Sequence, residues 1–132
     1  MSANDKQVGG NHYKNGKCEH WDYVELNGLR YTEGCATKYA TRSRKKYEDP
    51  RQDLEKAIHY VEKIKDLHSN GVLAPPSAPV RITPHQFAAA NDLNPAETEV
   101  VRALTYWESS RDLDNVIELL REMVENESRG RD

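Results

Sequence analysis

The residues best placed to do chemistry lie in Tyr31–Lys46, YTEGCATKYATRSRKK, which holds five basic side chains and one acid. At 100° per residue on a helix, Lys38, Arg42 and Lys45 fall within about 60° of one another. Gly34 sits one turn before Lys38 on the same stripe, and its missing side chain leaves the backbone approachable. Ala36, Tyr39 and Ala40 point elsewhere and can face a core. Arginine offers a planar fork and lysine a point charge, so the stripe with its small-residue gap is a seat for phosphate. The competing reading is a solvated basic face, which most charge runs are.

A second chemical stretch precedes it. VGGNHYK, Val8–Lys14, places a titratable ring, His12, and a hydroxyl, Tyr13, directly after the double glycine Gly9-Gly10. Residues 1–19 otherwise read as an irregular polar arm, an unusual place for a His-Tyr pair. His12, Cys18, His20 and Cys35 are all possible zinc ligands, but no CxxC pair is present and no metal site is assigned.

The elements that must position these residues are helical. Trp21–Asn27 is a short helix with Trp21, Val24 and Leu26 as apolar members, stopped by Asn27-Gly28. The basic helix follows, with Thr32 as a candidate cap. Asp49-Pro50 opens a third helix, whose Leu54, Ala57, Ile58, Val61 and Ile64 make the clearest helical stripe in the chain. Asp53, Lys56 and Tyr60 flank that stripe. SNGVLAPPSAPV, Ser69–Val80, is a linker, because glycine and three prolines forbid regular helix.

Beyond the linker the pattern returns. Tyr23, Asn27, Leu29 and Glu33 align with Phe87, Asn91, Leu93 and Glu97, and Asp53-Leu54 and Ile58 with Asp112-Leu113 and Ile117. The expected fold is therefore all-α, with two degenerate three-helix repeats, short–medium–long, joined by a Pro-rich linker. The divisions are an arm over 1–19, a first repeat over 20–68, a linker over 69–82, a second repeat over 83–126 and a tail over 127–132. The long helices of the two repeats are expected to pack together. The second repeat keeps the scaffold and loses the chemistry: Arg102 answers Lys38, but Tyr106, Glu108 and Ser109 stand for Arg42, Arg44 and Lys45.

Composition narrows the functional classes. The 132 residues are 36% hydrophobic and 31% charged, so the core is thin and homo-oligomerisation is expected to supplement it. The net charge of -3 divides into 13 basic and 11 acidic groups over 1–70 and 6 and 11 over 71–132. One basic stripe is too narrow a field for long nucleic acid. With no recognisable secretory leader and no apolar run that could span a membrane, the sequence predicts a cytoplasmic protein with free thiols.

The ordered motifs VGGNHYK, then HWDYVELNGLRYTEGCATKYATR, then DLEKAIHYVEKI resemble a widespread family of small bacteriophage proteins. That family includes the nucleotide kinase of T-seven-like phages. Its outline is GGxHY, then EGxxxKYxxR, then DLxKA, and the resemblance covers about residues 8–67. Cys18-Glu19-His20 departs from it, standing where many relatives have an apolar residue before a proline. The resemblance implies transfer of phosphate from ATP or another nucleoside triphosphate to a deoxynucleoside monophosphate such as dTMP or dGMP.

On that implication Lys38, Arg42 and Lys45 bind phosphate beside Gly34, Gly9 and Gly10. His12, Glu33 and Asp53 orient or deprotonate the acceptor; Lys56 lies at the rim, and Tyr13, Tyr39 and Tyr60 stack on a base. No Walker A sequence and no acidic pair dedicated to magnesium is present, so side chains must balance most of the phosphate charge. Two other readings stay open. One is a non-catalytic nucleotide-binding or host-interaction protein. The other is an all-α nucleoside triphosphate pyrophosphohydrolase, although Glu33 lacks a carboxylate partner at the ExxE spacing that class uses to hold magnesium.

Overall fold

In the computed structural model, residues 18–46 and 48–131 are described. They form six helices and no strand: α1 (His20–Asn27), α2 (Tyr31–Lys46), α3 (Arg51–Ser69), α4 (Pro84–Asn91), α5 (Pro95–Tyr106) and α6 (Ser110–Gly130). Helices of 8, 16 and 19 residues are thus followed by helices of 8, 12 and 21.

Local chemistry sets the boundaries. Helix α1 stops at Gly28, whose φ of 67° lies in the left-handed region, and the amides of Gly28 and Leu29 turn back to the carbonyls of Glu25 and Val24. A side chain at Gly28 would also strike Ala78, its Cβ only 2.7 Å from that of Ala78. Helix α2 begins at Tyr31, one residue before the expected cap Thr32. Its first turn is closed instead by Glu33, whose Oε1 accepts from the Arg30 amide at 2.9 Å. Asp49 does receive the Arg51 amide at 3.1 Å, but Pro50 stands before the helix rather than inside it. Downstream, Thr83, Asn94 and Ser109 each accept from the amide three residues on, and Gln86, Glu97 and Asp112 return the bond.

Packing follows the apolar stripes. Leu54, Ala57, Val61 and Ile64 of α3 are buried against Leu113, Val116, Ile117 and Leu120 of α6, so the two long helices do pack together. Ala36 and Ala40 let α2 approach α3 and α5 closely, and Trp107 closes the end of this core. A smaller core gathers Tyr23, Leu29, Ile82, Phe87 and Val101. There Tyr23 lies 4.7 Å from Phe87, and its hydroxyl meets Thr105 at 2.7 Å.

The chain between Ser69 and Pro84 has no helix but is pinned at several points. Arg30 Nη2 donates to the Ala74 carbonyl at 2.8 Å, and His68 Nδ1 lies 2.9 Å from the Leu73 carbonyl. The Asn27 side chain accepts from the amides of Arg81 and Ile82 and donates to the Ile82 carbonyl. Asn91 in turn donates to the carbonyl of Cys18 at 2.7 Å, so each asparagine fastens the strand of chain that enters the other group of helices.

Candidate functional site

Helix α2 buries Ala36, Thr37 and Ala40 and turns its basic stripe outward. Lys38, Arg42 and Lys45 line one cavity of about 570 Å³, with Glu19, His20 and Trp21 of the α1 end and Phe87, Asn91 and Leu93 opposite. Gly34 lines a neighbouring cavity, and Lys38, His20 and Trp21 face both. Four of the residues that the sequence put on one stripe are therefore brought along one continuous groove.

On the α3 side, three cations gather round one ring. Arg42 Cζ is 4.7 Å from the centre of Tyr39, Lys56 Nζ 5.3 Å and Lys38 Nζ 5.6 Å, all within cation–π range. Tyr39 stacks on Tyr60 at 5.7 Å and 9° between planes, and Tyr31 meets Tyr60 edge-on at 6.4 Å. The bond between Tyr60 and Tyr31, with Cys35 beside them, pushes the Tyr60 phenol up to about 12, so it stays protonated. Asp53, 2% exposed, accepts from Arg42 Nε at 3.3 Å and faces Lys56 Nζ at 3.7 Å. Among the described residues Lys38 and Lys45 have no ion-pair partner. The cluster therefore keeps a surplus of positive charge around one buried carboxylate.

Glu33, expected in the site, is placed in the interior instead. It is fully buried, and its carboxylate receives the Arg30 amide, Arg30 Nε at 2.8 Å, Arg30 Nη2 at 2.9 Å and Trp107 Nε1 at 2.6 Å. Four donors and full burial engage this carboxylate within the core rather than at the groove. Arg44, another base of the run, turns away from the groove. It reaches the buried Glu97, with Nε and Nη2 at 3.1 and 3.0 Å from the carboxylate oxygens. Gly9, Gly10, His12 and Tyr13 lie outside the described residues.

Trp21 and His20 face both cavities and are among the groove residues not assigned to it from the sequence. Trp21, taken as an apolar member of α1, is 51% exposed. The buried side of α1 carries Tyr23 and Asn27, four residues apart, and that register leaves Trp21 off the stripe. His20 stands between the two cavities, its Nε2 2.8 Å from the Thr37 hydroxyl, which itself donates to the Glu33 or Gly34 carbonyl. Burial, then the charge of Lys38, pushes His20 down to about 4, so it is neutral at physiological pH.

Among the described residues no three His, Cys, Asp or Glu side chains converge to hold a metal ion, and no helix is long and apolar enough to cross a membrane. Both cysteines are free thiols. Burial pushes Cys18 up to about 11.

Residues 8–62 match the model of a family of proteins of unknown function, DUF3310. The matched stretch contains the basic stripe, His20, Trp21 and the tyrosine cluster, but not Phe87, Asn91 and Leu93 on the opposite wall, and ends before the linker. No curated protein and no solved structure matches the chain.

Proposed function

We propose that the protein binds nucleotides through the basic face of α2 and transfers phosphate from a nucleoside triphosphate to a deoxynucleoside monophosphate. The observation that carries this is the convergence of Lys38, Arg42 and Lys56 on the Tyr39 ring around the single buried carboxylate of Asp53. Asp53 positions Arg42 and Lys56, while Lys38 and Lys45 extend the positive charge into the cavity beside Trp21. A phosphomonoester is already mostly dianionic at neutral pH, its second pKa being about 6. The main work is then positioning the acceptor and stabilising charge. The interior place of Glu33 weighs against pyrophosphohydrolase chemistry, which needs exposed carboxylates to hold magnesium.

We also read the second group of helices as a degenerate copy of the first. Glu33 and Glu97 are both buried at the start of a medium helix, and Asn27 and Asn91 each donate to a carbonyl of the segment entering the other group, Ile82 and Cys18 respectively. The site is not repeated: Ala103 and Tyr106 stand for Tyr39 and Arg42, and Arg102 is bound to Glu99 at 2.6 Å.

Calorimetry with ATP and each deoxynucleoside monophosphate tests the reading. Arg42→Ala and Lys38→Ala should each weaken binding by about 1.5–3 kcal/mol, the scale of a charge-assisted hydrogen bond, and Arg102→Ala should leave it unchanged. Equal losses in all three variants, or none, would return the stripe to a solvated face. Binding without turnover would leave a nucleotide-binding protein that is not a kinase.

A further inference from the structure

The cavity beyond Lys38 has a volume of about 340 Å³ and lies between α1 and the start of α2. Its size falls within the range of small-molecule sites. Three features set it apart from an ordinary surface cleft. First, Gly34 stands inside a helix, where glycine costs roughly 1 kcal/mol relative to alanine. Neither backbone nor packing asks for it: an added Cβ would meet only the Val24 methyls, at 3.4 and 3.5 Å. The glycine keeps open a space that alanine would enter. Second, Trp21 and Tyr31 both line the cavity and are 51% and 75% exposed, two large π surfaces held in water. Third, Lys38 belongs to this cavity and to the phosphate cavity alike, so a ligand anchored on the stripe can extend past it.

We propose that this cavity seats the base of the nucleotide whose phosphate lies on Lys38, Arg42 and Lys45, with the ring stacked on Trp21 above Gly34. Val24 and Leu29 supply the apolar wall, and the Glu25 carboxylate at the rim can accept a ring N–H. Stacking tolerates any base, so the seat recognises a nucleobase as a class rather than one member. This rests on the phosphate reading given above.

The two tryptophans make the test direct, because Trp107 is 1% exposed and only Trp21 can meet a ligand. The full chain is titrated with dTMP, dGMP and pyrophosphate while tryptophan emission is followed. Both nucleotides should quench saturably, and pyrophosphate should displace them without quenching. Trp21→Ala should weaken nucleotide binding roughly 10- to 100-fold, as expected for loss of one stacked base, and weaken pyrophosphate, which has no base, far less; Gly34→Ala should act in the same direction by filling the seat. Gly34→Ala should not lower the thermal unfolding temperature, which separates a lost seat from a lost fold. Nucleotide binding at full strength in both variants, or without change in emission, overturns the base seat and leaves the phosphate site standing. A wild-type protein that binds none of the three ligands overturns the phosphate reading and this inference with it.

Discussion

Glu33→Gln separates a structural carboxylate from a catalytic one. The substitution keeps the shape of the side chain but replaces one acceptor oxygen with an N–H donor. If the remaining oxygen serves the Arg30 amide and Nε, the new amide nitrogen confronts Trp107 Nε1, now 2.6 Å from Glu33 Oε2. The indole N–H is then left unpaired in the core, which costs about 1–3 kcal/mol. Arg30 is about one-third exposed, so its charge regains part of its hydration and the lost ion pair adds only about 1 kcal/mol. The expected destabilisation is about 2–4 kcal/mol, a large share of the 5–15 kcal/mol that typically holds a domain together. Urea unfolding followed by circular dichroism measures it. Nucleotide affinity of the folded variant should stay within about twofold of wild type. A Glu33→Gln protein with unchanged unfolding and abolished turnover would refute the assignment and return Glu33 to the reaction.

His20 is neutral in the folded protein down to about pH 4 but titrates near 6.5 when unfolded, so protons favour the unfolded chain between those values. Stability should be whole above pH 6.5 and fall by up to about 3 kcal/mol towards pH 4, and His20→Gln should flatten that slope in pH-dependent urea titrations. Gly28→Ala combines a left-handed backbone with a contact against Ala78 and should cost about 2 kcal/mol or more, read as a lower thermal midpoint. His12→Ala, or removal of residues 1–13, should abolish turnover and leave the unliganded melting temperature unchanged; full activity in the truncated protein would remove His12 from the chemistry. Self-association predicts a light-scattering mass above the 15.1 kDa of one chain at micromolar concentration.

The parts of the fold legible from sequence were those written as periodicity. The α3 stripe and the Asn-Gly stop depend on local spacing, and the structure places them within a residue or so. Lys38, Arg42 and Lys45 were legible as a group for the same reason, being close on one helix. Glu33 was not, because its burial is decided by Trp107, far along the chain, and nothing local distinguishes a carboxylate that will meet an indole in the core. Arg44 looked like part of the basic run until Glu97 claimed it. Trp21 was misplaced because α1 is only two turns long, and its buried register is set by Phe87 and Thr105 against Tyr23 rather than by a stripe of its own.

The bonds between the first and second groups of helices bear on how the chain comes apart. Trp107 reaches Glu33, Arg44 reaches Glu97, Asn27 holds Ile82 and Asn91 holds Cys18. If either group opened alone, it would strand buried acceptors in the other and expose the shared face of α3 and α6. Partial opening therefore carries nearly the cost of complete opening, and the interior amides of both groups should exchange with solvent deuterium at one common free energy. The long linker does not divide the molecule into separately melting pieces. A ligand held only by α1 and α2 would consequently protect the amides of α5 and α6 as well, although it touches neither.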